Sequence, residues 1–132
     1  MNHYSPKILI AFGETISGND TILDWLLNNG YPELAALSSD IRGSEDAFKW
    51  LLGNKFPHLA ALDAAIDGND NAYRWLNDRE FYFDIVFADA CREKQDAINW
   101  LKGKDLQIFV ILARKIINYR EGQTYDYHKI HF

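Results

Sequence analysis

Cysteine is all but missing from this chain. Cys91 is its one example among 132 residues, so no disulfide can form within it, a usage that suits a reducing compartment. Proline occurs at three places only, Pro6, Pro32 and Pro57, which leaves long stretches free to be helical. No apolar run approaches the roughly 20 residues of a membrane span. Near the start, Lys7 precedes only the short stretch from Ile8 to Phe12, which supplies no export signal. Together these features place the protein, as an expectation, in the cytoplasm. Basic residues are scarce in the first two thirds: residues 1 to 90 hold 6 Lys and Arg against 14 Asp and Glu. That balance argues against nucleic acid as a partner along most of the length. Glycine-rich phosphate loops, nucleophile elbows and cysteine-histidine zinc spacings are absent as well.

What the chain does contain is a period. Its four tryptophans stand at Trp25, Trp50, Trp75 and Trp100, and each precedes a leucine, at 26, 51, 76 and 101. Set in a register of 25, one column holds Phe12, Leu37, Leu62, Phe87 and Leu112. Another, four residues on, holds Ile16, Ile41, Ile66, Cys91 and Ile116. Residues four apart share a helix face. A second set, Ile22, Ala47, Ala72 and Ala97 with the Trp-Leu pairs, follows the same helical spacing. Each unit therefore reads as two helices that bury their apolar faces on neighbouring copies. The fold class is all-α: an α-solenoid of about four and a half stacked two-helix repeats in one domain, residues 119–132 being a cap or tail.

Punctuation agrees. Gly18-Asn19, Gly43-Ser44 and Gly68-Asn69 offer a glycine to end one helix and a side-chain acceptor to start the next. Pro32 and Pro57 suit a first helical position. The pattern predicts helices near 6–17, 20–29, 32–42, 45–54, 57–67, 70–78, 81–93, 95–103 and 106–120. With spacings of roughly 8–10 Å between axes, five layers would make a rod of about 40–50 Å held by local contacts alone. At the next junction Glu93 and Lys94 replace the turn residues, which leaves room for a continuous or kinked helix through Gln95. Asp84 breaks a leucine column in the same unit.

The string from Leu59 to Leu76 resembles the helical half of an ankyrin repeat in its order of paired small residues, glycine turn and apolar second helix. The matching residues are Ala60-Ala61, Gly68-Asn69 and Trp75-Leu76, and one unit earlier Ala35-Ala36, Gly43-Ser44 and Trp50-Leu51-Leu52. The period here is 25 and no segment remains for the ankyrin β-hairpin, so the resemblance implies helix pairing and a protein-binding role.

Candidate chemistry is sparse. The tryptophan column reads as core or inter-repeat packing rather than a stacking ladder. Two histidines three apart, His128 and His131, make a poor metal site, and neither metal nor cofactor is expected. Small residues on the first-type helices would let them approach closely and line a concave side. The expected partner-binding residues are Ser39, Asp40, Asp63, Ala64 and Asp89, and the partner a peptide or protein, basic in character. The expectation is a non-catalytic interaction module or adaptor. The alternative is a small enzyme using Asp84 and Asp89 near the irregular junction at Glu93 and Lys94. Nucleic-acid contact through Arg114, Lys115, Arg120 and Lys129 has a thin basis.

Overall fold

A computed structural model describes the backbone of residues 1–130 and the side chains of residues 1–122. Among the described residues there are nine helices and no strand: α1 (Pro6–Ile16), α2 (Asp20–Asn28), α3 (Pro32–Ile41), α4 (Glu45–Gly53), α5 (Pro57–Ile66), α6 (Asp70–Asp78), α7 (Tyr82–Cys91), α8 (Gln95–Gly103) and α9 (Gln107–Ile130). All-helical packing between successive elements is that of a helical-repeat solenoid, and the helices stand where the period puts them.

Local chemistry accounts for the boundaries. Pro6, Pro32 and Pro57 open α1, α3 and α5, where their missing N–H costs nothing. Asn19, Ser44 and Asn69 cap α2, α4 and α6 by accepting the backbone N–H three residues on, at 3.0–3.1 Å. At the junction of Glu93 and Lys94 the break between the helices predicted at 81–93 and 95–103 is present, and no continuous helix forms: α7 ends at Cys91 and α8 starts at Gln95. Glu93 takes the left-handed conformation there, with φ 62°, in the column where Gly18, Gly43 and Gly68 lie at 99°, 99° and 85°. Packing of the repeat thus overrides the cost, of about 1–2 kcal/mol, of placing a side chain in that region. The last helix departs the other way. In register with the earlier turn glycines stands Asn118, and Gly122 and Asp126 occupy the places of Ala97 and Leu101. With asparagine in place of the turn glycine and no apolar edge to follow, α9 runs on to Ile130.

The expected rod is replaced by a ring. Each odd-numbered helix packs on the next, and α9 packs on α1, closing the circuit α1-α3-α5-α7-α9. Each even-numbered helix lies outside, packed on the two inner helices that flank it in sequence. Contacts are therefore not all local: Lys115 Nζ donates to Ser17 Oγ at 3.2 Å, across 98 residues. Gly13 makes this joint tight, since a Cβ there would meet Leu112 Cδ2 at 2.9 Å. No concave side stays open. The inner helices fill the bore with Leu9, Leu34, Leu59 and Phe109, then Phe12, Leu37, Leu62, Phe87 and Leu112, then Ile16, Ile41, Ile66, Cys91 and Ile116, all buried. The charge gradient along the sequence becomes complementarity across the joint, with Lys115 3.6 Å from Glu14, while Arg114 lies 3.5 Å from Glu93 in the turn between α7 and α8.

The tryptophans are not core. Leu26, Leu51, Leu76 and Leu101 are fully buried, whereas Trp25 and Trp100 are 45% and 43% exposed and Trp50 and Trp75 half-buried. A residue beside a fully buried one on a short outer helix necessarily turns toward the rim. There three of the four indoles serve the inter-repeat packing: Trp25, Trp50 and Trp75 stack on Tyr31, Phe56 and Phe81, which lead into the following inner helix, at 6.0–6.4 Å with planes 5–15° apart.

Candidate functional site

The inner helices end at one mouth of the bore, and acidic residues gather there. Asp40 closes α3 and Asp63 lies near the end of α5; both are buried. Together with the exposed Asp67, Glu45 and the ring of Phe48 they line a cleft of about 370 Å³ between α3, α4 and α5. Burial raises both buried carboxyls, Asp40 to about 8, and the neighbouring Asp63 and Asp67 add to its shift. Asp40 is therefore protonated near neutral pH and donates to Asp63, while its Oδ2 receives no hydrogen bond from the rest of the chain. The extension of α9 crosses this mouth: Tyr119 donates to the Arg42 carbonyl at 3.2 Å, and Arg120 reaches Asp67 and, at 3.4 Å, Asp63. One guanidinium thus already sits on the carboxylates, which shows what kind of group they attract.

Outside the bore the outer helices rest on the inner ones and not on each other, and grooves open between them. The groove between α4 and α6, of about 260 Å³, has Ala60, Ala61 and Ala64 as its floor and Leu52 and Trp75 among its walls. Its counterpart between α2 and α4, of about 300 Å³, is floored by Ala35, Ala36 and Ser39 and walled by Leu23, Leu27 and Trp50. Alanine is what keeps these floors low. Leu27 and Leu52 stand 54% and 50% exposed on the rims, an unusual place for leucine unless something covers it.

The five residues expected to bind a partner are divided among these surfaces. Asp40 and Asp63 meet in the cleft, Ala64 lies in one groove and Ser39 in the other. Asp89 stands apart on α7, accepting from the Tyr73 hydroxyl at 2.6 Å with Lys94 Nζ 3.4 Å away. Burial and this carboxylate push the Tyr73 hydroxyl to about 12. Sequence reasoning missed Asp67, Arg120 and the groove leucines. The paired alanines were a signal in plain view, but nothing in the period announced that α9 would carry Arg120 across to α5.

Asp84 and Asp89 do not converge. Asp84 is buried at the opposite mouth, 3.9 Å from the Met1 ammonium, and burial raises its carboxyl against the pull of that charge. It lines a cavity of about 270 Å³ with His3 and His58, whose imidazoles burial holds low; Asp89 takes no part in it. His131 and the side chain of His128 lie outside the described residues. No cluster of three or more His, Cys, Asp or Glu suited to a metal occurs among the described residues, and no helix among them is long and apolar enough to cross a membrane. Compared with known protein families, curated proteins and solved structures, the chain matches none.

Proposed function

We propose that the protein is a non-catalytic interaction module that grips a basic, partly apolar segment of a partner protein across α4, α5 and α6. The observation that carries this reading is Phe48, whose ring lines both the acidic cleft and the alanine-floored groove. A Lys or Arg of the partner would sit against Asp67 and Glu45 while neighbouring apolar side chains lie over Ala61 and Ala64. Leu52 and Trp75 would then leave water, which supplies most of the affinity, and the carboxylates would supply orientation and salt sensitivity. Arg120 already contacts Asp67 within the chain, so a partner competes with it there. A buried lone thiol suits the reducing cytoplasm as the place of action.

A photo-crosslinking residue at Ala64 tests this in the native cell. It should capture a partner whose crosslinked peptide is basic, and capture should fall in Ala61→Arg and in Asp67→Lys while circular dichroism stays unchanged. Equal capture of the same partner by both folded variants would refute the reading.

A further inference from the structure

Five inner helices make five joints, but only four carry an outer helix. The joints α1/α3, α3/α5, α5/α7 and α7/α9 are covered by α2, α4, α6 and α8 respectively; among the described residues no helix covers α9/α1. The reason lies in the sequence already described: where a fifth outer helix would begin, α9 continues straight. The uncovered joint is apolar. Ile10, in the column where Ala35 and Ala60 are buried, is 55% exposed, and Ile111 on α9 is 52% exposed. Val110 and Ala11 stand half-buried beside them. These two isoleucines are the inner-ring aliphatics left most open to water, and they fall on the two helices of the same joint.

We infer that the α9/α1 joint is a docking site for an amphipathic helix supplied by a partner protein, bound as a fifth member of the outer layer. The chain itself specifies the occupant four times over. Each outer helix presents one fully buried leucine, Leu26, Leu51, Leu76 or Leu101, with Ala47, Ala72 and Ala97 four residues before it in three of them. Each also carries an acid in its first turn: Asp20, Glu45 and Asp46, Asp70, and Asp96. An outer helix starts beside the end of the inner helix that precedes it, so at this joint its first turn falls near Arg114 and Lys115, where its acid competes with the solvent-exposed carboxylates of Glu93 and Glu14 for these bases. The partner helix therefore has an Ala-Leu edge at i, i+4, an aromatic residue just before the leucine, and a negatively charged first turn. This site shares no residue with the cleft and grooves and does not depend on the function proposed above.

The probe is a fluorescein-labelled peptide with the sequence of residues 44–56, closed by a lactam between the exposed Glu45 and Lys49 because so short a helix does not hold in water. Fluorescence anisotropy should show saturable binding to the full chain. Ile10→Asp and Ile111→Asp should each weaken it at least about tenfold, as should Leu51→Asp in the peptide, while Ala61→Arg in the protein leaves it unchanged. A photo-crosslinker at Ile111, which needs no destabilising substitution, should trap the peptide on α1 and α9. Absence of saturation to about millimolar peptide, or crosslinks mapping to other helices, overturns the inference. So does sedimentation showing that the chain dimerises through Ile10 and Ile111, because a second copy would then be the occupant.

Discussion

Replacing Asp40 by asparagine should make the protein more stable at alkaline pH and leave it nearly unchanged in acid. Asp40 is buried beside Asp63 and Asp67 and keeps its proton to about pH 8, against an ordinary value of 3.8. Folded molecules hold this proton more tightly than unfolded ones, so the group is most favourable to folding below about pH 4. That advantage is lost progressively as pH rises through about 8. A difference of about four units at 1.36 kcal/mol each sets a ceiling near 6 kcal/mol. Water at the cleft and the adjacent Arg120 reduce the share that reaches stability to about 2–3 kcal/mol. An asparagine amide copies the protonated carboxyl, donating to Asp63 at every pH. In thermal melts followed by circular dichroism, Asp40→Asn should match the parent near pH 4–5 and exceed it by roughly 6–12 °C at pH 9. A gap that is the same at both ends of the range, or a parent that gains on the variant as pH rises, would show that Asp40 is an ordinary ionised surface carboxylate.

Three further substitutions probe the ring. Leu101→Ala should cost about 3–5 kcal/mol because a fully buried side chain leaves a cavity, while Trp100→Ala, which truncates a side chain already 43% exposed, should cost about 1–2 kcal/mol in urea unfolding. The reverse order would return the tryptophans to the core. Gly13→Val should cost about 1–3 kcal/mol by pushing α1 away from Leu112, and a variant with an unchanged urea midpoint would show that α9 does not close on α1.

Nearly every helix could be read from the residues because the signals that make it are local. Prolines at first positions, Asn19, Ser44 and Asn69 as caps and apolar residues four apart all act within a turn or two. At Glu93 the break follows from the period alone: the left-handed turn is imposed by the packing of α7 and α8, and no property of glutamate announces it. Closure escaped for a deeper reason. Whether a stack of helix pairs curves into a rod or a ring depends on small rotations at each joint, which the spacing of apolar residues leaves open. Asp40 and Asp63 stood out as acids on an inner helix face, yet their burial and their proton sharing follow from the curvature that brings the ends of α3 and α5 together beneath α9. The tryptophan column left core and inter-repeat packing undecided because recurrence marks a position the architecture uses, whether at its centre or its rim.

A stack with free ends tolerates the gain or loss of a unit, since each copy only needs a neighbour on either side. A closed circuit has no such freedom. Duplicating or deleting one 25-residue segment would change the girth of a bore whose facing Phe and Leu side chains are fitted to five walls, leaving a void in one case and a collision in the other. Copy number in this protein is thus a property under the same packing constraint as any single core residue.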